Sequence, residues 1–246
     1  MSGLPGLWRA ARLALLGVTL PQAAVHAQDV VNVYEIPSNV SINVISNQLM
    51  HERLNQTLHH WDRYEAEQKQ SRTRPPELTR ARLNGMGIAD LTRGLPSDQV
   101  ESARAAYKQA LDFHEAVIRK FDLPSGDLGV ALASSIAGAW MAYNNKPFPD
   151  AYYLPLVNQM RRQIGSQDAS LQGLADSERT AIYEGLAVAG MLLASSQITW
   201  QRNPGAPGAQ ALRERMRTQG GETLSRMLRV APDKVAIGPT GVRALP

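Results

Sequence analysis

Residues 127–145 contain a long uncharged run, DLGVALASSIAGAWMAYNN, with no charged side chain between Leu128 and Tyr143. The run is rich in Ala, Gly and Ser, so a helix formed by it is apolar or small on every face. Such a helix is normally buried by neighbours on all sides. A second run of this kind lies at residues 185–200, GLAVAGMLLASSQITW. The two runs predict an all-α fold, a compact bundle of about five to six helices around these two small-residue-rich helices.

The lengths of the two runs argue against membrane spans. Sixteen residues of helix cover about 24 Å at 1.5 Å per residue, whereas the hydrocarbon core of a bilayer is about 30 Å thick. Both runs also carry Ser and Gly at positions where a spanning helix would carry Leu and Ile. We therefore expect a buried helical core.

The other helices of the predicted bundle are amphipathic. Residues 97–121 carry an apolar stripe at three- and four-residue steps, which is typical of a helix with one buried face. A further helix is expected to end at residue 165, with Arg161 and Arg162 facing outward, and a last one spans residues 208–230. Residues 233–245 are expected to be a short extended segment with a Gly-Pro turn.

The first 27 residues have the pattern of a secretory signal peptide. Arg9 and Arg12 form a basic region, residues 13–20 (LALLGVTL) form an apolar one, and a small-residue cleavage site ends at Ala27. A membrane anchor is the rival interpretation, but Pro21 interrupts the apolar stretch, and a spanning helix needs about 20 apolar residues. We expect cleavage after Ala27 and a periplasmic or secreted mature chain.

Three parts are expected along the chain: the signal peptide at residues 1–27, an N-terminal segment at 28–76, and a helical core domain at 77–246. Within the N-terminal segment, a Val-, Ile- and Asn-rich extended arm (28–47) precedes an amphipathic helix and a basic linker that ends in a double proline.

Charge and cysteine content narrow the class of partner. The formal net charge is +4, and removal of a leader with two arginines and no acid lowers it to +2. This small excess and the export signal point away from nucleic acid. The chain has no Cys, which excludes disulfides and a lipid-modified cysteine. A cysteine-free exported chain fits a bacterial periplasm or exterior better than a eukaryotic secretory route.

Several short motifs stand out in the second half of the chain. They are AWMAY at 139–143, YEGLA at 183–187, GMLL at 190–193, MLRVAPDKV at 227–235 and TGV at 240–242. Over about residues 97–245 their order resembles a family of uncharacterised secreted bacterial proteins, which is defined as a domain of unknown function. The resemblance implies a helical exported protein and supplies no activity, so no catalytic residue is transferred from it.

A weak metal-site candidate lies on the N-terminal helix. Residues 51–55 (HERLN) approach the zinc-protease pattern His-Glu-x-x-His, but Asn55 replaces the second ligand. A site could be formed by His51, His59 and Asp62, yet solvated polar residues on an amphipathic helix explain the same pattern. We expect no metal and no other cofactor.

Other motifs also fall short of their patterns. Residues 85–87 (GMG) lack the third glycine and the preceding strand of a nucleotide-binding loop. Residues 134–135 and 195–196 are serine pairs without a nucleophile elbow, and they are interpreted as small packing residues. His114 lies on a mostly apolar helix face, where a histidine is usually a hydrogen-bonded core residue.

Glu184 is the strongest single candidate for a functional residue. It is the only acidic or basic side chain between Ile182 and Trp200, near the start of a helix that we expect to be buried. A buried carboxylate is costly unless it is paired, hydrogen-bonded or protonated. The structural interpretation gives it a partner such as Arg179, a tyrosine or backbone amides.

The functional interpretation makes Glu184 a general acid or a ligand contact. Trp140, Tyr143 and Asn144 cluster at the end of the first apolar helix, and together with Glu184 they form the predicted binding site.

Three functions remain open. The leading hypothesis is an exported helical protein with a non-catalytic binding or structural role, its partner being an unidentified protein or envelope component. The alternatives are an envelope-modifying hydrolase that uses Glu184, and a lipid- or small-ligand-binding protein. A closed core favours the first, a cleft with opposed acids the second, and an apolar tunnel the third. The sequence leaves open both the oligomeric state and whether any catalysis occurs.

Overall fold

The computed structural model describes residues 85–93, 95–165 and 174–245, and the fold in these ranges is helical. They contain six α-helices: α1 (Met86–Thr92), α2 (Ser97–Lys120), α3 (Leu128–Asn144), α4 (Tyr153–Gly165), α5 (Asp176–Arg202) and α6 (Ala209–Leu228). A hairpin of two antiparallel strands follows, β1 (Val235–Gly238) and β2 (Gly241–Ala244). The all-α prediction is confirmed for these residues. The predicted leader, the N-terminal segment 28–76 and the candidate ligands His51, His59 and Asp62 lie outside them.

Helices α3 and α5 form the predicted buried pair. All residues from Leu128 to Ala139 in α3 and from Ile182 to Ala194 in α5 are buried. The two backbones touch where Gly138 meets Gly190, because a Cβ at Gly138 would overlap the carbonyl oxygen of Gly190. The small residues of the two uncharged runs are therefore needed for this close approach.

Among the described residues, only α5 is long and apolar enough to cross a membrane by length and composition, and 94% of its most apolar window is buried inside the fold. Burial of this kind is typical of a core helix.

Helix α6 packs on another side of α3. A Cβ at Gly220 would lie 2.7 Å from the carbonyl oxygen of Ala139, so this glycine permits a second close backbone approach. Glycine in a helix interior costs about 1 kcal/mol relative to Ala, and the contact with α3 gives that cost a structural reason.

The outward orientation predicted for Arg161 is wrong. Its side chain on α4 is only 14% exposed, and its Nε lies 2.7 Å from Oδ2 of the buried Asp127. The other carboxylate oxygen of Asp127 accepts hydrogen bonds from the backbone N–H groups of Gly129 and Val130 and so caps α3. Helical spacing did not reveal this contact because it joins residues that are far apart in the sequence.

The C-terminal hairpin docks on α4 through Gln159. The buried side-chain amide of Gln159 donates to the carbonyl of Val242 at 2.9 Å, and its oxygen accepts from the N–H of Val242 at 2.7 Å. The side chain thereby substitutes for a neighbouring strand at the edge of β2. The extended tail predicted for residues 233–245 is confirmed from Val235 onward, where it forms the hairpin, whereas Pro232–Lys234 is a 3-10 helix.

Candidate functional site

Glu184 lies in the first part of α5 and is fully buried. Its carboxylate accepts hydrogen bonds from three backbone N–H groups at the start of α1: Gly85 at 2.9 Å, Gly87 at 2.7 Å and Ile88 at 3.3 Å. The first N–H groups of a helix have no partner within the helix, and the helix dipole favours a negative charge there. Glu184 therefore caps α1 from a different helix, and backbone amides are among its partners, as the structural interpretation expected.

The Gly-Met-Gly motif fits this contact. Gly85 has φ +76°, a left-handed conformation that glycine adopts without strain. A Cβ at Gly87 would lie 2.8 Å from Oε2 of Glu184. The motif thus allows the backbone of α1 to approach the carboxylate closely.

Trp140, Tyr143 and Asn144 lie together at the carboxyl end of α3. The ring of Trp140 packs edge-on against Phe148, and the amide of Asn144 donates to the carbonyl of Trp140 at 2.9 Å. The guanidinium of Arg217 lies 5.4 Å from the centre of the Tyr143 ring.

The structure places Glu184 away from this aromatic end. Helices α3 and α5 run in the same direction, since Gly138 meets Gly190 and, further on, the side chain of Gln201 donates to the carbonyl of Asn145. Glu184 precedes the glycine crossing by six residues, or about 9 Å of helix, whereas Trp140 and its neighbours follow it. The four predicted residues therefore occupy two separate places.

A buried chain of hydrogen bonds links four helices, α2, α3, α4 and α5, next to the glycine crossing. The Tyr153 hydroxyl lies 2.6 Å from Oγ of Ser134, which lies 3.0 Å from Nε2 of His114. Nδ1 of His114 lies 3.3 Å from the hydroxyl of Tyr183, which donates to Glu115 at 2.9 Å. The chain thus runs from the core to a carboxylate near the surface.

One assignment of protons satisfies every member of this chain. Because Tyr183 donates to Glu115, its oxygen accepts from Nδ1–H of His114, and Nε2 then accepts from Ser134. The imidazole is neutral in this arrangement, and burial accordingly lowers the pKa of His114 to about 3. Burial raises the pKa of Tyr183, and the negative charge of Glu115 raises it further. Burial likewise raises the pKa of Tyr153.

Ser134 and His114 are close enough for a nucleophile and its base, but both are fully buried. The recess that borders Ser134 and Tyr153 has about 10 Å³ of space, between apolar side chains such as Phe148 and Met191. That is room for about one water molecule, whereas ligand pockets measure roughly 300–1,000 Å³. The pair is a closed structural contact that an acyl substrate cannot reach.

The described residues contain no group of three His, Cys, Asp or Glu side chains that could hold a metal ion. Sequence reasoning interpreted His114 as a hydrogen-bonded core histidine, and this is confirmed. It missed Tyr153, Tyr183 and Glu115 as members of the same chain, because their only signal is their spatial proximity to His114.

Comparisons with known proteins give one match. A search of curated proteins and a search of solved structures each find nothing similar to the chain. A scan against family models matches residues 9–245 to a family of unknown function, so the match covers nearly the whole chain and extends well beyond the segment where the motifs were noted. The chain belongs to this family of unknown function, DUF6683.

Proposed function

We propose that this chain is an exported helical protein of the bacterial envelope with a non-catalytic binding or structural role. The observation that carries the proposal is the closure of the core around its polar groups. Hydrogen bonds join His114 to Ser134 and to Tyr183, and the recess that borders Ser134 has a volume for about one water molecule.

The contacts of Glu184 count against the hydrolase alternative. Its two carboxylate oxygens accept three backbone N–H bonds from α1, and the side chain is fully buried. A general acid must reach the group that it protonates, directly or through one water molecule. Glu184 faces the start of α1, so its geometry supports a structural role.

The contact between α3 and α5 counts against a lipid channel between them. The backbones meet at Gly138 and Gly190 with no space even for an added Cβ. An apolar ligand would have to separate the two most buried helices of the described region.

Export is supported by the basic and apolar segments that precede Ala27. The test is to express the full chain in a Gram-negative host, fractionate the cells and sequence the N-terminus of the product. We expect a periplasmic protein that begins at Gln28. Leu15→Arg/Leu16→Arg, which interrupts the apolar segment, should retain the full-length chain in the cytoplasm. A wild-type chain that stays cytoplasmic and uncleaved would contradict export.

The absence of serine catalysis is tested separately with a fluorophosphonate probe, which labels activated serines. We expect no labelling of the purified protein. Stoichiometric labelling that disappears in Ser134→Ala would replace the proposal with a hydrolase.

A further inference from the structure

Two arginines of α6 lie over aromatic rings at one end of the bundle. The guanidinium of Arg213 lies 5.1 Å from the centre of the Trp200 ring, and that of Arg217 lies 5.4 Å from the centre of the Tyr143 ring. The two arginines are four residues apart, so they project from the same face of α6. Both are exposed.

Each guanidinium makes a cation–π contact with its ring. An arginine in this position can bind a carboxylate or a phosphate with two parallel hydrogen bonds. Within the described part of the chain, none of the ion pairs engages Arg213 or Arg217. Two cations that are in none of these ion pairs are therefore exposed on the same face of α6.

The same end of the bundle holds buried polar atoms without hydrogen-bond partners. They are Nε1 of Trp200, both polar atoms of the Gln197 side chain, and Oδ1 of Asn145. Gln197 is fully buried, and the bond from Gln201 to the carbonyl of Asn145 brings these segments together. Buried polar atoms in native proteins are paired with protein or ordered water in the large majority of cases, so these atoms leave hydrogen-bonding capacity at this end for water or a polar ligand.

The amino end of α6 adds positive potential. Gly208 is its N-cap and provides no side-chain cap, and its first turn contains no acidic residue. The first N–H groups of a helix and its dipole both favour an anion. Arg213 lies one turn further along α6.

We propose that Arg213 and Arg217, supported by Trp200 and Tyr143, form a binding site for an oxyanion, a phosphate or carboxylate group of an envelope component. This inference rests on the proposed binding role of the protein, and it specifies the chemical class of the ligand. The two exposed guanidiniums bind the oxyanion, and the Trp200 ring that Arg213 contacts lies beside the site. Of the four residues of the binding site predicted from the sequence, Tyr143 belongs to this oxyanion site, whereas Glu184 lies elsewhere.

The test is an NMR titration of the purified protein with inorganic phosphate and with acetate, against chloride at matched ionic strength. We expect saturable shifts of the Trp200 indole signal and of the Nε–H signals of Arg213 and Arg217. Shifts no larger than those produced by chloride would overturn the proposal.

Variants assign the binding to the arginine pair. Arg213→Gln/Arg217→Gln should weaken phosphate binding roughly tenfold or more, because charge-assisted hydrogen bonds are lost. Arg119→Gln/Arg243→Gln removes the same charge from exposed positions elsewhere and should change affinity less than about twofold. If the first variant does not fold, Arg213→Lys/Arg217→Lys keeps the charge without the planar fork and should weaken phosphate binding by a smaller factor that still exceeds the change in the control variant. If phosphate affinity falls equally in the site variant and the control variant, the effect comes from net charge alone, and the proposed site is overturned.

Vesicles distinguish the two sources of the oxyanion. Co-sedimentation with phosphatidylglycerol vesicles but not with phosphatidylcholine, lost in the Arg213/Arg217 variant, identifies a lipid headgroup. Binding of free phosphate without vesicle binding identifies a soluble ligand, and the absence of both refutes the site. These readouts use purified protein, so a failure of export in the fractionation experiment is a separate result.

Discussion

Replacing Glu184 with Gln separates a structural carboxylate from a catalytic one. In the native protein, Oε1 accepts from Gly85 and Oε2 accepts from Gly87 and Ile88. Glutamine has nearly the same shape, but one of its terminal groups is an NH2 donor. Whichever way the amide is turned, that donor faces a backbone N–H group, so at least one N–H loses its acceptor.

The cost follows from these contacts. Hydrogen bonds to a charged group contribute about 1.5–3 kcal/mol. The amide weakens those from Gly87 and Ile88, loses the one from the exposed Gly85, and removes a favourable charge at the amino end of α1. We expect a loss of about 2 kcal/mol in the free energy that holds α1 against α5. Because 1.4 kcal/mol is a tenfold change in an equilibrium constant, exchange protection of the α1 amides should fall about thirtyfold.

Native-state hydrogen exchange measures this change directly. The protection of Ile88 and Leu91 is compared between wild type, Glu184→Gln and the control Glu178→Gln. Glu178 lies on the same helix, and its carboxylate accepts from the N–H of Ala175 at an exposed position. The control should cost less than about 1 kcal/mol, which is typical of an exposed cap.

Two results would refute this reasoning. Unchanged protection of α1 in Glu184→Gln would show that the carboxylate does not hold the helix. Loss of an enzymatic activity without any change in protection would show that the carboxylate is there for chemistry.

The sequence was most informative about the core. The uncharged runs predicted α3 and α5 and their burial, because a helix without a polar face has no stable position at a surface. The small residues in these runs also indicated a close approach of two backbones. They did not identify the partners, and only the structure shows that Gly138 meets Gly190 while Gly220 meets Ala139.

The candidate site was predicted less well, since it depends on contacts between distant segments. The isolation of Glu184 indicated that it needs a partner, but nothing local identified the start of α1 as that partner. The same limit applies to Arg161, whose outward placement failed because Asp127 lies 34 positions away. Helical periodicity gives the face of a residue, and the fold decides what covers that face.

Two further predictions concern buried polar contacts. Burial lowers the pKa of His114 from about 6.5 in the unfolded chain to about 3 in the folded protein, so the unfolded chain binds the proton first and stability falls as the pH drops below 6.5. Urea unfolding should show a loss of about 2 kcal/mol in the free energy of unfolding between pH 7 and pH 5. His114→Gln should largely abolish this loss, and an equal loss in that variant would contradict the assignment. Gln159→Leu leaves both backbone groups of Val242 unpaired and should cost about 1–3 kcal/mol, seen as faster exchange of the Val242 amide; exchange as slow as in wild type would show that Gln159 does not dock the hairpin.

The burial of α3 against α5 is tested most directly by the unfolding free energy of Gly138→Ala. In an uncrowded helix interior this change stabilises by about 1 kcal/mol. Here the added Cβ would overlap the carbonyl of Gly190, so we expect a loss of at least about 2 kcal/mol, as found for overpacked cores. Gly205→Ala is the control, because nothing lies within 4 Å of its Cβ position. A Gly138→Ala variant as stable as wild type, or more stable, would contradict the account.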